Sequence, residues 1–256
     1  MNILEKIATR RKERLSKKKK VVPAESLYRI EKTIRPFFRE KGLVTVIAEC
    51  KKGSPSRGMF LPDYDPLRIA KEYEKGGAHA LSVLTEPDFF WGAESHLVKV
   101  RQHLSLPVLR KDFIVDQYQV KESWAMGADA ILLIAALLSD AQLQELAGYA
   151  REFGLEVLLE VHDKRELERA LKVPVTGIGI NARNLKDFSI DLMGAKDLCR
   201  LVPADRVTVA ESGMKSPEAA VDMYDAGFRA FLVGEYFVMA ANREDCVREF
   251  CESLPA

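Results

Sequence analysis

Gly127-Ala128-Asp129-Ala130-Ile131-Leu132-Leu133-Ile134-Ala135 decides the fold. A glycine, which tolerates the left-handed geometry of a helix C-terminus, is followed after Ala128-Asp129 by an unbroken apolar run, Ala130–Ala135. A strand without polar alternation is buried on both faces, the mark of a parallel sheet covered by helices. The same junction recurs at Gly77-Ala78-His79-Ala80-Leu81 and at Gly227-Phe228-Arg229-Ala230-Phe231, at spacings of 50 and 100 residues. Those spacings correspond to one and two double βα units.

Outward from that stretch, β-rich runs are predicted at Val44–Cys50, Ala80–Thr85, Pro107–Phe113, Ala130–Ala135, Glu156–Val161, Gly177–Asn181, Val207–Glu211 and Ala230–Gly234. Helical periods follow them near Pro66–Lys75, Glu94–His103, Tyr118–Met126, Asp140–Phe153, Lys164–Leu171, Leu192–Leu201, Pro217–Ala226 and Glu244–Ser253. Eight alternations predict the α/β class and a closed (β/α)8 TIM barrel over residues 42–256. On the element pattern alone, a doubly wound open sheet is the alternative. Residues 1–41 stand apart, with a charged helix over Ile3–Lys20 and a second helical stretch around Ser26–Glu40.

At 256 residues the chain suits one large barrel domain. Hydrophobic residues at 47% and charged ones at 30% are ordinary for a soluble globular protein. A net charge of +1 argues for neither a nucleic-acid nor a membrane partner. Lys17-Lys18-Lys19-Lys20 reads as a solvated helix end, with a nucleic-acid patch as the alternative. The opening Met1-Asn2-Ile3-Leu4-Glu5-Lys6 lacks a signal peptide's apolar stretch. Cys50, Cys199, Cys246 and Cys251 lack paired spacing, so reduced thiols and a cytoplasmic location are expected. His79, His96, His103 and His162 are scattered, and nucleotide-binding glycine motifs are missing, so no metal or cofactor is expected.

Barrel enzymes carry their chemistry at the C-terminal strand ends, and alternate residues point inward. By that parity Glu49 and Lys51 on the first strand, Lys111 beside Leu109 and Phe113 on the third, and Glu160 on the fifth face the mouth. Asn181 and Arg183 end the sixth strand, and the seventh ends Ala210-Glu211-Ser212-Gly213, with Ser212 on the parity of Ala210. Any one such residue is an ordinary loop anchor. Two carboxylates, two lysines, an amide and a hydroxyl converge from five strands, and charges near a lumen carry a desolvation cost unless paired or used, which points to an active site. Gly213 and Gly234 at the last two strand ends suit a phosphate, with the N–H of Glu235 rather than its carboxylate toward the ligand. Phe89-Phe90-Trp91 could stack on an aromatic substrate or simply pack its loop.

These motifs resemble the indole-3-glycerol phosphate synthase family over almost the whole chain. The blocks are Ile47-Ala48-Glu49-Cys50-Lys51-Lys52-Gly53-Ser54-Pro55-Ser56-Arg57-Gly58, Leu81-Ser82-Val83-Leu84-Thr85-Glu86, Leu109-Arg110-Lys111-Asp112-Phe113-Ile114, Glu160-Val161-His162, Gly179-Ile180-Asn181-Ala182-Arg183-Asn184-Leu185 and Ala210-Glu211-Ser212-Gly213. Cys50, Gly53 and the run Gly234-Glu235-Tyr236-Phe237-Val238 depart from the family pattern.

The resemblance implies a single domain in which residues 1–41 form a helical cap over the barrel mouth. It implies a cofactor-free conversion of 1-(o-carboxyphenylamino)-1-deoxyribulose 5-phosphate, with Lys111 as ring-closing acid and Glu160 and Lys51 sharing the dehydration. Glu49, Asn181 and Ser212 complete the implied catalytic set. Ser54 and Arg183 would meet the anthranilate carboxylate, and Phe90, Phe113, Leu132 and Leu232 would bound the substrate. Gly213, Gly234 and Glu235 would line the phosphate end. A monomer is expected, with a weak homodimer as the alternative, and no fused isomerase or glutaminase. The runner-up is another phosphosugar barrel, such as phosphoribosylanthranilate isomerase, whose chemistry does not call for the two lysines. A silent phosphate-binding barrel would be expected to lack Lys111 or Glu160.

Overall fold

The computed structural model describes residues 3–30, 33–184 and 187–255. Eight strands pair in parallel around a closed ring. They are β1 (Thr45–Cys50), β2 (Ala80–Leu84), β3 (Val108–Lys111), β4 (Ala130–Ile134), β5 (Glu156–Val161), β6 (Gly177–Asn181), β7 (Val207–Glu211) and β8 (Ala230–Val233). β1 closes the ring by pairing with β8 on one side and β2 on the other, which rules out the open sheet. β3 ends two residues earlier than expected. Its ladder stops at Lys111 because Asp112 turns its carboxylate back onto the Phe113 N–H at 2.8 Å.

The outer helices are α2 (Pro66–Lys75), α3 (Glu94–His103), α4 (Gln117–Ala125), α5 (Asp140–Glu152), α6 (Lys164–Ala170), α7 (Leu192–Cys199), α8 (Pro217–Asp225), α9 (Glu235–Val238) and α10 (Arg243–Glu252), with α1 (Ile3–Val21) before the barrel. Local sequence sets their starts. Asp65 accepts from the Leu67 N–H ahead of Pro66, and Ser139 with Gln142 forms a reciprocal capping box. Strand parity sorts the apolar residues into two cores. Val46, Ala48 and Cys50 pack outward against helix residues such as Ile69 and Leu97. Ile47, Leu109, Leu132, Leu158 and Val209 fill the lumen.

The N-terminal segment serves both ends of the barrel. Leu4 and Ile7 of α1 pack into the lumen core with Phe113, Leu132 and Ile134, at the C-terminal end of the strands. The expected helix over Ser26–Glu40 does not form. Only a single 3-10 turn, Ala24–Ser26, precedes non-helical chain in the described residues. Pro36 disfavours helix at Arg35, and the barrel offers other acceptors. The Arg35 N–H donates to Asp129 Oδ1 at 2.9 Å, Phe37 to Glu156 Oε1 at 2.8 Å and Arg39 to Thr45 Oγ1 at 3.1 Å. These acceptors lie at the N-terminal end of the strands. Phe37 and Phe38 therefore plug the bottom of the lumen, and Phe38 lies where Gly177 leaves room for its ring, a Cβ there falling 2.7 Å from Phe38 Cε2.

Candidate active site

Above the lumen core lies a cavity of about 760 Å³. Every residue expected at the site borders it: Glu49, Lys51, Ser54, Phe90, Lys111, Phe113, Leu132, Glu160, Asn181, Arg183, Ser212, Gly213, Leu232, Gly234 and Glu235. Leu185 lies outside the described residues. Ile3, Leu4 and Ile7 of α1 form part of the wall.

At its floor Lys111 Nζ sits 2.6 Å from Glu211 Oε2 and 3.1 Å from Glu160 Oε2. Lys51 Nζ pairs with Glu49 Oε1 at 2.9 Å. Asn181 Nδ2 donates to Glu160 Oε1 at 3.2 Å. Burial alone would strip the proton from Lys111, but the charges of Glu211, Glu160 and Glu49 outweigh it and raise its pKa above the usual lysine range. Burial also opposes ionisation of Glu160, yet Lys111 and His162 overcome it and hold that carboxyl well below its ordinary value. For Glu211 burial wins: with Glu160 as a like-charged neighbour, its pKa is pushed up to about 8 despite Lys111.

Glu211 is the functional residue that parity reading from the seventh strand left out. It shares the inward face with Val209, while Ala210 packs outward. In register it stands opposite Asn181 on β6 and Leu232 on β8. A methyl group on Gly179 would overlap Glu211 Oε1, so that glycine clears space for the carboxylate.

The aromatic wall is built by Glu86. Its carboxylate accepts the N–H groups of Asp88, Phe89 and Phe90 at 2.9, 2.7 and 3.1 Å. This holds Phe90 beside Phe113, with ring centroids 5.8 Å apart. Trp91 goes elsewhere and packs on the small hairpin after β1. A Cβ at Gly53 would lie 2.5 Å from the Trp91 ring, which explains the glycine at that departure from the family pattern.

At the opposite wall Ser212 and Gly213 take φ values of +66° and +83°. A Cβ at Gly234 would overlap Glu49 Oε1 and lie 2.6 Å from Lys51 Nζ. Glu235 turns its carboxylate to Arg57 of the loop after β1, away from the strand-end glycines. The Arg183 N–H donates to Asn181 Oδ1 at 3.0 Å, and Ser54 Oγ meets Ser56 Oγ at 3.3 Å.

The lysine run is only partly solvated. Lys18 pairs with Glu94 and Glu122, each at 2.5 Å, and Lys19 with Asp116 at 2.7 Å. All four cysteines are free. Among the described residues there is no His/Cys/Asp/Glu group able to hold a metal, and no helix long and apolar enough to cross a membrane.

Residues 4–250 match the family model described as indole-3-glycerol phosphate synthase. The chain belongs to that family. It is 48% identical over 213 residues to the indole-3-glycerol phosphate synthase of Acetivibrio thermocellus, covering 83% of this chain and 82% of the relative. The enzyme of that name from Campylobacter jejuni is 43% identical over 245 residues, covering 92% and 95%. Among solved structures, 3-hexulose-6-phosphate synthase matches with a TM-score of 0.68 at 14% identity, over 82% of this chain and all (100%) of the other. The Streptococcus mutans protein described as KGPDC gives 0.65 at 10%, over 82% and 97%. At those identities the structures speak for the barrel fold alone. An indole-3-glycerol phosphate synthase is a carboxy-lyase of tryptophan biosynthesis, and that is the enzymatic function of this chain.

Proposed function

We propose that the cavity converts 1-(o-carboxyphenylamino)-1-deoxyribulose 5-phosphate to indole-3-glycerol phosphate, carbon dioxide and water, with Lys111 as the ring-closing acid. The observation that carries this reading is the ammonium of Lys111 held between Glu211 and Glu160, 14% exposed, at the centre of the floor. The ring carbon bearing the carboxylate attacks the sugar ketone, and the developing alkoxide takes the Lys111 proton. Carbon dioxide then leaves, its bonding electrons returning to a ring already conjugated with a cationic nitrogen. Dehydration needs acid at the hydroxyl and a base for a proton beside nitrogen, roles for Glu160 and Lys51. Asn181 orients Glu160, and Glu49 orients Lys51. Glu211 accepts from Lys111 at 2.6 Å and fixes the ammonium over the floor.

Phe90, Phe113, Leu132 and Leu232 would enclose the anthranilate ring, with Ser54 and Arg183 toward its carboxylate. The phosphate would sit at Ser212, Gly213, Gly234 and the Glu235 N–H. Folding an open-chain sugar until two carbons nearly touch is mainly a matter of positioning, which a walled cavity suits. A monomer is the expected form, with a weak homodimer as the alternative. Four free cysteines fit a reducing compartment such as the cytoplasm, and the pairing of Lys18 and Lys19 weighs against a nucleic-acid patch.

Lys111→Met keeps most of the apolar stem and removes the proton. The expected kcat loss is roughly 10²-fold or more, the scale of a lost general acid. KM should change far less, because an interaction made in the transition state leaves ground-state binding alone. A folded variant with near-normal kcat overturns the assignment.

A further inference from the structure

The overall reaction takes up one proton. An ionised carboxylate leaves as neutral carbon dioxide, and a hydroxyl leaves as water. Protonation occurs at the ketone oxygen and at the departing hydroxyl, and a single proton returns from the carbon beside nitrogen. The floor of a filled cavity, roofed by α1, must therefore be resupplied from solvent once per turnover.

We propose that His162 supplies that proton to Glu160 from a second, separate cavity behind β5, an inference that rests on the function proposed above. His162 stands between two carboxylates. Its Nε2 lies 3.2 Å from Glu160 Oε1, within ion-pair range though off the line of a formed hydrogen bond, and that oxygen also accepts from Asn181 Nδ2. Its Nδ1 lies 3.0 Å from Glu166 Oε2 on α6, and the His162 backbone N–H donates to the same oxygen at 2.9 Å. The ring is thus pinned from one side and aimed at Glu160 on the other.

A cavity of about 590 Å³ lies against this pair, bordered by His162, Asp163, Glu166, Asn181 and Arg183. It meets the substrate cavity only along the wall that Asn181, Arg183 and Leu4 share. Solvent reaches His162 and Glu166, whose side chains are 13% and 15% exposed. The charged groups facing the ring are Glu160 on its own strand, Glu166 from α6, Asp163 beside it and Arg183 from the β6 end, with Lys111 beyond Glu160. Burial disfavours the imidazolium, but Glu160 and Glu166 outweigh it and push its pKa up to about 10. At neutral pH the ring holds the proton and Glu160 does not.

The step moves one proton. The Nε2–H bond breaks as an O–H bond forms on Glu160, leaving neutral imidazole that keeps its Nδ1–H; Nε2 regains a proton from water of the second cavity when the ring turns off Glu160. His162 acts only through Glu160. Glu166 keeps the ring charged and oriented.

The test compares His162→Gln, His162→Ala, Glu166→Gln and Glu160→Gln with the parent enzyme, each checked for an unchanged circular dichroism spectrum. In His162→Gln kcat should fall by roughly 10²-fold, the low end for a lost proton donor, with KM nearly constant. A solvent deuterium isotope effect on kcat should appear or grow. Added imidazole should restore turnover to His162→Ala in proportion to its concentration. Glu166→Gln should shift the alkaline limb of kcat to lower pH. Unchanged kcat in folded His162→Gln overturns the proposal, and so does a loss that imidazole does not relieve and that leaves the isotope effect and pH profile as in the parent. If Glu160→Gln is itself fully active, the dehydration role proposed for Glu160 fails and the proton route with it; if Glu160→Gln is inactive and His162→Gln active, only the proton route fails.

Discussion

The two ends of the barrel are closed by one N-terminal segment, but by different physical means. At the mouth α1 brings few apolar side chains and many charges. Arg11 meets Asp112 at 2.5 Å, Arg14 meets Asp88 at 2.5 Å, and Lys18 and Lys19 reach acids on α3, α4 and the loop before α4. Except for Arg11–Asp112, these pairs are partly exposed, and such pairs contribute little each and weaken with salt. At the bottom the chain brings Phe37 and Phe38 into the lumen and gives its N–H groups to buried Asp129 and half-buried Glu156. The difference separates roles. The bottom is core that happens to precede the first strand, whereas the mouth is a cover held by contacts that can be exchanged.

The largest effect should come from breaking the bottom. Phe38→Ala removes a ring from a packed lumen, and losses of about 3–5 kcal/mol are usual for such a truncation. Urea unfolding should report that loss while kcat of the folded fraction stays near normal. Deleting residues 1–41 removes both phenylalanines and should leave a barrel that does not fold. A stable 42–256 fragment would make the bottom plug dispensable and collapse the contrast between the ends.

Next in size is a change inside the mouth. Gly234→Val would push on Glu49 and Lys51, where a Cβ has no room. Loss of kcat/KM by roughly 10²-fold is expected, the range for disturbing an acid–base group, together with weaker inhibition by inorganic phosphate. The melting temperature should hold within a few degrees, since the clash is with cavity-lining side chains. Unchanged phosphate inhibition would move that ligand elsewhere in the cavity.

Smaller again is removal of the cover alone. Deleting residues 1–22 leaves the bottom strap in place, so the protein should remain folded. Leu4 and Ile7 would be lost from the cavity wall, and KM should rise by roughly tenfold, equivalent to about 1.4 kcal/mol. A folded truncation with unchanged KM would show that α1 does not cover the bound substrate.

How much of this was legible in the sequence follows the same division. Where chemistry follows strand parity it could be read: Glu49, Lys111 and Glu160 end on the inward face because Ile47, Leu109 and Leu158, two residues back, are apolar lumen residues, and Lys51 continues the parity of Glu49. Glu211 obeys the same rule through Val209, yet the seventh strand was read outward from Ser212, and register is not written in sequence. Pairing of Glu211 with Asn181 and Leu232 fixes its depth only once the ring is closed. The strap across the bottom was misread for another reason. Its apolar spacing allows a helix, and only Pro36 hints that its N–H groups find partners elsewhere, on Asp129 and Glu156, which are distant in sequence, and on nearby Thr45. The Trp91–Gly53 fit is likewise a contact between loops that no local pattern reports.

The two ends also differ in how they titrate. At the bottom, burial raises the carboxyl of Glu156 above its ordinary value, despite the Phe37 N–H it accepts. A carboxyl raised on folding binds its proton more tightly when folded, so this group's contribution falls as pH climbs through the carboxylate range. At the mouth His162 is raised from 6.5 to about 10. Its contribution is complete below pH 6.5, declines as the unfolded chain alone gives up its proton, and is gone once the folded ring also deprotonates near 10. Glu160, held below its ordinary value, works in the opposite sense, and its contribution disappears only in strong acid. The melting-temperature gap between the parent and His162→Gln should therefore be widest near pH 6 and close by about pH 10. For Glu156→Gln the gap should stay flat over that interval. Each kcal/mol corresponds to about 2–4 °C for a protein near this size, within reach of scanning calorimetry. A His162→Gln gap that does not narrow between pH 6 and 10 would mean that the ring is held neutral, and that the mouth owes nothing to an imidazolium between Glu160 and Glu166.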